Sequence, residues 1–186
     1  MPLITTITPT PSIDLAHHKT HEGNHYGVHH ISNVAVGSFA DFLIISPPMN
    51  QAVMHLIFSF RVELKSKLEM YEHIQTISPG TILKTENYNR ISSLIPLADI
   101  YINPILVAGE PIATKKIFEN LGGTSSDGAE IGVINRNEYE YILEGSTNYL
   151  FRVTPDSSLL TLVPPVTSIY FVTEFNWYDA RPSTVT

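Results

Sequence analysis

The feature that most constrains this chain is how often it is broken. Pro47-Pro48, Ser78-Pro79-Gly80, Asn103-Pro104, Gly109, Gly122-Gly123, Asp127-Gly128, Gly145, Pro155 and Pro164-Pro165 punctuate it at short intervals. Proline fixes φ and lacks the N–H that a helix interior needs, while glycine is the default residue of tight turns. Segments between such breaks have room for strands but not for helices of ordinary length. No repeat of the solenoid or propeller kind, with a period of roughly 20 to 50 residues, is visible.

Between the breaks the side chains alternate. In Arg61 to Glu72, Val62, Leu64, Leu68 and Met70 fall on one side and Arg61, Glu63, Lys65, Lys67 and Glu69 on the other, which predicts one strand with a wet face. The Glu, Lys and Leu content makes a helix the competing reading, but the charges do not collect on one helical face. Ala52 to Phe60 and Phe39 to Ile45 are apolar almost throughout and predict strands buried on both faces at the centre of the core. Tyr139 to Leu143 and Tyr149 to Thr154 flank Glu144-Gly145-Ser146-Thr147-Asn148, a pattern that predicts a hairpin. Ile169 to Tyr178 reads as a final strand with Ile169, Phe171, Thr173, Phe175 and Trp177 on one face.

About eight strands at this spacing predict an all-β fold, a single-domain β-sandwich or jelly roll. Residues 1–14, with Pro2, Pro9 and Pro11 among threonines, are expected to form an extended N-terminal arm. The sandwich is placed at residues 15–180 and a short tail at 181–186.

Composition narrows the function classes. The length of 186 residues suits one domain. Only 16% of residues are charged, below the usual quarter of a soluble protein, as befits a surface held against partners. The net charge of -7 repels polyanions, so no nucleic-acid partner is expected. The absence of cysteine removes disulfides, thiol catalysis and Cys-based zinc sites. The N-terminus lacks the pattern of a secretory signal, which predicts synthesis in the cytoplasm. The longest apolar run, Phe39 to Ile45, is strand-length and contains Asp41, so no membrane partner is expected.

Six of the eight histidines, His17, His18, His21, His25, His29 and His30, lie between Ala16 and Ile31. Imidazoles are the commonest ligands of zinc, copper and nickel, and His17, His21 and His25 are the candidate metal ligands. His21-Glu22-Gly23-Asn24-His25 matches H-E-x-x-H literally, but that motif needs a helix, and Gly23 and Asn24 oppose one. On a strand, His29 and His30 point to opposite faces and cannot share an ion. A polar loop or a His-lined subunit contact, with no bound metal or cofactor, is the preferred reading.

Other chemistry is poorly supported. There is no G-x-S-x-G elbow, and Gly122 to Gly128 lacks the lysine of a phosphate-binding loop. The acidic pairs Glu138/Glu140 and Glu72/Glu86 read as solvated strand faces. Tyr170, Phe171, Phe175, Trp177 and Tyr178 suit a core or a subunit interface, and less readily a sugar-stacking platform. His29, Tyr170, Trp177 and Tyr178 are the interface candidates.

A family likeness adds to this reading. Asn87-Tyr88-Asn89-Arg90-Ile91-Ser92, Ile102-Asn103-Pro104, Asn135-Arg136-Asn137-Glu138-Tyr139, Thr147-Asn148-Tyr149-Leu150-Phe151-Arg152-Val153-Thr154 and Phe175-Asn176-Trp177-Tyr178 occur in an order that resembles small head-associated structural proteins of tailed bacteriophages. Those proteins show a similar N-x-N-R-x-S stretch, an N-T-x-Y-L-x-R-x-T strand and an x-W-Y-E ending, where this chain has Asp179. With His21 to Tyr26 included, the likeness spans residues 20 to 179. It implies a decoration or cement subunit on the capsid surface of the virion, made in the host cytoplasm. The implied partners are the major capsid protein or other virion subunits, within a homo-oligomer, dimer or trimer. It implies no catalytic residues. The alternatives are a carbohydrate- or receptor-binding module of a virion, and a cupin-like metalloprotein with histidines converging in the barrel.

Overall fold

The computed structural model describes residues 15–62, 64–111, 116–120, 129–132, 140–162 and 164–181. The expected arm at 1–14, most of the tail and the Gly122–Gly128 loop lie outside the described residues. The described chain contains helix α1 (Leu15–His21) and strands β1 (His25–Ala35), β2 (Ala40–Ile45), β3 (Val53–Val62), β4 (Ser66–Glu72), β5 (Thr76–Ser78), β6 (Thr81–Ile82) and β7 (Glu86–Asn87). It continues with β8 (Asp99–Ile102), β9 (Ile105–Leu106), β10 (Lys116–Asn120), β11 (Ala129–Gly132), β12 (Tyr141–Leu143), β13 (Asn148–Pro155), the 3-10 turn Ser157–Thr161 and β14 (Ser168–Ala180).

The expected all-β sandwich is what forms. One sheet, A, has the order β11-β3-β14-β1-β7 with β12 also on β3, and the other, B, has the order β10-β4-β13-β2-β8-β6. Eight strands make up the framework, in four antiparallel pairs: β1 with β14, β2 with β13, β3 with β11 and β4 with β10. The first half of the chain therefore pairs in reverse order with the second, and successive pairs fall in alternate sheets, which is the jelly-roll winding. The pairing of β5 with β9 forms a small third sheet.

The core lies between the sheets and is aromatic. Phe42, Phe58, Phe60, Phe151, Phe171, Phe175 and Trp177 are fully buried, each contributing about 2 to 3 kcal/mol by leaving water. Ring edges meet ring faces, as in Phe58 against Phe151 at 4.8 Å and Phe60 against Phe175 at 5.5 Å. The alternation along β14 holds, with Ile169, Phe171, Thr173, Phe175 and Trp177 all facing the core. β2 and β3 are nearly continuous in burial, as their composition predicts.

Three local expectations are corrected. Arg61 to Glu72 is not one strand: β3 ends at Val62 and β4 begins at Ser66, so the chain crosses from sheet A to sheet B. Ser66 fixes the corner by donating its hydroxyl to the Leu64 carbonyl (2.8 Å). The alternation survives on both sides of the corner and so conceals it. The segments around Glu144 to Asn148 are not a hairpin, because β12 pairs with β3 and β13 with β2 and β4. There Ser46 gives its hydroxyl to the carbonyl of Glu144 and takes the N–H of Thr147 (2.7 and 2.9 Å), holding the loop as a bridge between sheets. Finally, the histidine run opens with a helical turn. Helix α1 closes by hydrogen bonds from Asn24 N–H to the Lys19 carbonyl and from Gly23 N–H to the Thr20 carbonyl (both 3.0 Å), with Gly23 at φ +76°, the glycine-dependent Schellman stop.

Candidate functional site

Alternation divides the residues of β1 between the core and the outer face of sheet A. His25, Gly27, His29, Ile31 and Asn33 face outward, while Tyr26, Val28 and Val34 enter the core. Opposite them β14 presents Tyr178, Asn176, Glu174, Val172 and Tyr170 in register, and β3 adds His55 opposite Tyr178. This outer face brings histidine, tyrosine, asparagine and glutamate side chains of three strands together.

At one end of the face His55, Glu140 and Tyr178 are knotted together. The His55 Nδ1 lies 2.5 Å from Glu140 Oε1 and 3.1 Å from the Tyr178 hydroxyl, and its ring stacks on that of Tyr178 at 4.6 Å. Tyr178 also donates its hydroxyl to the same Glu140 oxygen. A carboxylate that accepts from two donors orients both. Tyr178 is buried by this arrangement, so the knot joins β3, β14 and the approach to β12.

A second polar chain runs beside it. Tyr88 donates its hydroxyl to Asn176 Oδ1, and Asn176 Nδ2 donates to Glu174 Oε1 (2.9 Å). The Tyr88 hydroxyl passes over Gly27, where a Cβ would lie 2.4 Å from it, so glycine is required for this close approach. The His25 ring lies tilted against that of Tyr88 at 4.6 Å, and its Nδ1 pairs with the Thr20 hydroxyl at 2.7 Å. Gly27, Val28, His29, Lys84, Glu86 and Tyr88 border a shallow pocket of about 360 Å³.

The outer side of sheet B is different. Arg152 on β13 forks onto Asp41 of β2 with two 2.7 Å bonds, and the Phe39 ring lies 3.9 Å from its guanidinium. The carboxylate raises the arginine pKa further, against a smaller opposing effect of burial. The residues around β5 and β9 fold over this side, and Leu43, Tyr71, Ile74 and Leu150 form a second apolar cluster beneath them.

A third polar feature sits at the end of the core. Asp179 is fully buried and accepts the N–H of Leu97 at 3.1 Å. Burial pushes its carboxyl up to about 6, against the opposing hydrogen bond from Leu97 and the charge of Arg181. Nearby, Arg181 and Tyr26 both donate to the carbonyl of Ile95 (2.9 and 3.1 Å).

The predicted site residues are scattered. His21 is exposed at the end of α1 and His25 is buried against Tyr88, while the His17 side chain lies outside the described residues. Among the described residues no group of three or more metal-ligating side chains is gathered closely enough to hold an ion. His29 and His30 do point to opposite faces: His29 is exposed, and His30 packs edge-on against Phe42 at 5.9 Å. Burial and the neighbouring His29 hold the His30 pKa below its ordinary value. Of the interface candidates, His29 and Tyr170 are on the surface, Tyr170 at 61% exposure. Trp177 is corrected to a core residue, at 1% exposure and 5.8 Å from the Tyr26 ring, and Tyr178 is covered by the Glu140 knot.

These positions bear on the alternatives. The rings of Phe171, Phe175 and Trp177 are inside, so these three offer no flat platform to a sugar, and the space between the sheets is packed with phenylalanine. The Asp41–Arg152 fork and the His55–Glu140–Tyr178 knot escaped the sequence reading. Only the alternation of Asp41 and Arg152 within otherwise apolar strands signals the first, since charges on buried strands need partners. No protein-family model matches the chain, and no curated protein matches it.

Proposed function

We propose that this chain is a non-enzymatic structural subunit of a virion, which decorates or stabilises a tailed-phage capsid through subunit contacts. The observation that carries the reading is a jelly roll with a filled interior and apolar side chains left outside. Ile31 and Ile142 on sheet A, and Ile91 and Ile95 on the loop before β8, are exposed, Ile91 at 95%. Single exposed apolar residues are ordinary, but here they accompany a low-charge surface, as in chains that bury their outer faces against a neighbour. The polar groups of the site are tied to one another across strands and hold the scaffold rather than a substrate. The ordered likeness to head-associated proteins supports the same role, and the fold by itself does not, since jelly rolls serve many functions.

Mass spectrometry of density-purified particles, together with immunogold labelling by an antibody to the recombinant chain, tests the proposal. Peptides at a copy number comparable with the capsid lattice and gold on the heads are expected. Peptides confined to the unassembled fraction would overturn it.

A further inference from the structure

The strands at the rim of a sheet carry unpaired N–H and C=O groups, and proteins usually protect them by brevity, proline, charge or a covering loop. Among the described residues most rims here are short: β6 and β7 have two residues each, β12 three, and β10 five with Lys116 and Glu119 among them. β1 is the exception. It runs for 11 residues, its register with β14 extends from His25 to Ala35, and on its other side, among the described residues, β7 pairs with Tyr26 and Gly27 alone. Residues 25–36 contain no proline and no Asp, Glu, Lys or Arg.

The direction of the free groups follows from two bonds. Tyr88 N–H donates to the His25 carbonyl on the β7 side, and Val36 N–H donates to Thr167 on the β14 side. Successive residues of a strand alternate in direction, so His29, Ile31, Asn33 and Ala35 aim their N–H and C=O groups away from β14, at the open rim. These four residues are also exposed.

We propose that this rim pairs antiparallel with the same rim of a second copy, about a two-fold axis through Ile31. In that register Ile31 meets Ile31 of the other copy, His29 meets Asn33, and on the inner face Val28 meets Val34. Apolar side chains then face apolar ones and polar face polar, the self-complementarity that an isologous contact requires. Each directly opposed rim residue exchanges both backbone bonds with its partner, so the ladder from His29 to Asn33 adds about six hydrogen bonds. β7 ends it at Gly27. The two A sheets become one continuous sheet, and Ile31, exposed at 62% in the single chain, is shielded by its twin. The inference goes beyond the virion reading, because the rim pairs in free solution whatever particle the dimer joins.

The chain has no cysteine, so Ile31→Cys supplies a single thiol. Opposed hydrogen-bonded residues lie about 5.5 Å apart at Cα, within disulfide range. Under mild oxidation we expect Ile31→Cys to form a covalent dimer and Ile142→Cys, equally exposed on β12, to remain uncross-linked. Sedimentation of the unmodified full chain should give twice its 20.7 kDa mass, and Ile31→Lys should return it to the single-chain mass with its circular dichroism unchanged. Amide exchange at Ile31 and Asn33 should be slow in the dimer and fast in Ile31→Lys. A single-chain mass up to about 1 mM overturns the proposal, as does a trimer. If a monomer nevertheless protects these amides, the rim is covered by the chain itself, which also overturns it.

Discussion

The two sheets of this jelly roll treat their outer faces in opposite ways. Sheet B is roofed: the residues around β5 and β9 cover Leu43, Tyr71, Ile74 and Leu150, and the charges beside them, Asp41 and Arg152, are paired by a two-pronged fork. Among the described residues, sheet A has only α1 and the residues around β7 across one end, and the rest of its face leaves His29, Ile31 and Tyr170 exposed. A covered face must satisfy every charge internally, whereas an open one can leave apolar residues and backbone groups for a neighbour. The contrast places the internally satisfied charges under sheet B and leaves sheet A as the side that the proposed pairing of two copies would use.

The sharpest way to break this division is to unpair the fork. Arg152→Ala leaves Asp41, 5% exposed, as a lone carboxylate, which should cost about 3 to 5 kcal/mol in denaturant unfolding. The double replacement Asp41→Leu with Arg152→Met should recover most of that loss, because a well-packed apolar pair can replace a buried ion pair. A loss under about 1 kcal/mol for Arg152→Ala would mean that water reaches Asp41 and that the roof over sheet B is open.

Next comes Asp179, on sheet A but inside the core. Its folded pKa of about 6 lies above the ordinary 3.8, so between those values the folded chain holds a proton that the unfolded chain has released. The contribution to stability is therefore greatest below pH 4, falls as the pH rises to 6, and is flat beyond, a change of about 3 kcal/mol. Asp179→Asn keeps an oxygen for the Leu97 N–H and removes the titration. At pH 7 it should be more stable than the parent by an amount of that order, and the difference should vanish below pH 4. Equal stabilities at pH 7 would show that the carboxylate is solvated and that this end of sheet A is as open as its outer face.

How far the sequence anticipates this arrangement differs from level to level. The alternation of β14 and the apolar runs of β2 and β3 mark the sandwich, since period two is what a strand with one buried face requires. Corners are harder to see. The shift from β3 to β4 at Leu64 leaves the alternation unbroken, and the turn at Gly145 looks the same whether its strands pair with each other or with different sheets. The pairings of Arg152 with Asp41 and of Tyr178 with Glu140 join residues 111 and 38 positions apart, and local pattern carries no record of such partners. Trp177 misleads for a related reason: an aromatic residue in an alternating strand reads alike for a core and for an interface until the second sheet is in place.

A smaller effect sharpens the polar end of sheet A. Glu140→Ala removes the acceptor shared by His55 and Tyr178, and thermal unfolding should show a loss of about 1 to 2 kcal/mol. Glu140→Gln, which keeps one oxygen, should lose less. If both variants match the parent, the knot is dispensable and Tyr178 is held by packing alone.

The smallest expected change tests the open face itself. Ile142 is 67% exposed on β12 and pairs with His55 across the ladder to β3. Replacing it with Thr keeps the branched side chain that strands favour and removes little buried area, so stability should move by no more than about 0.5 kcal/mol. Ile74→Ala under the roof of sheet B, by contrast, should cost about 2 to 4 kcal/mol through the cavity it opens. The ratio of the two effects measures the comparison directly. Should Ile142→Thr prove as costly as Ile74→Ala in the isolated chain, the face of sheet A is already covered, and the rim of β1 would have no free surface beside it on which a second copy could settle.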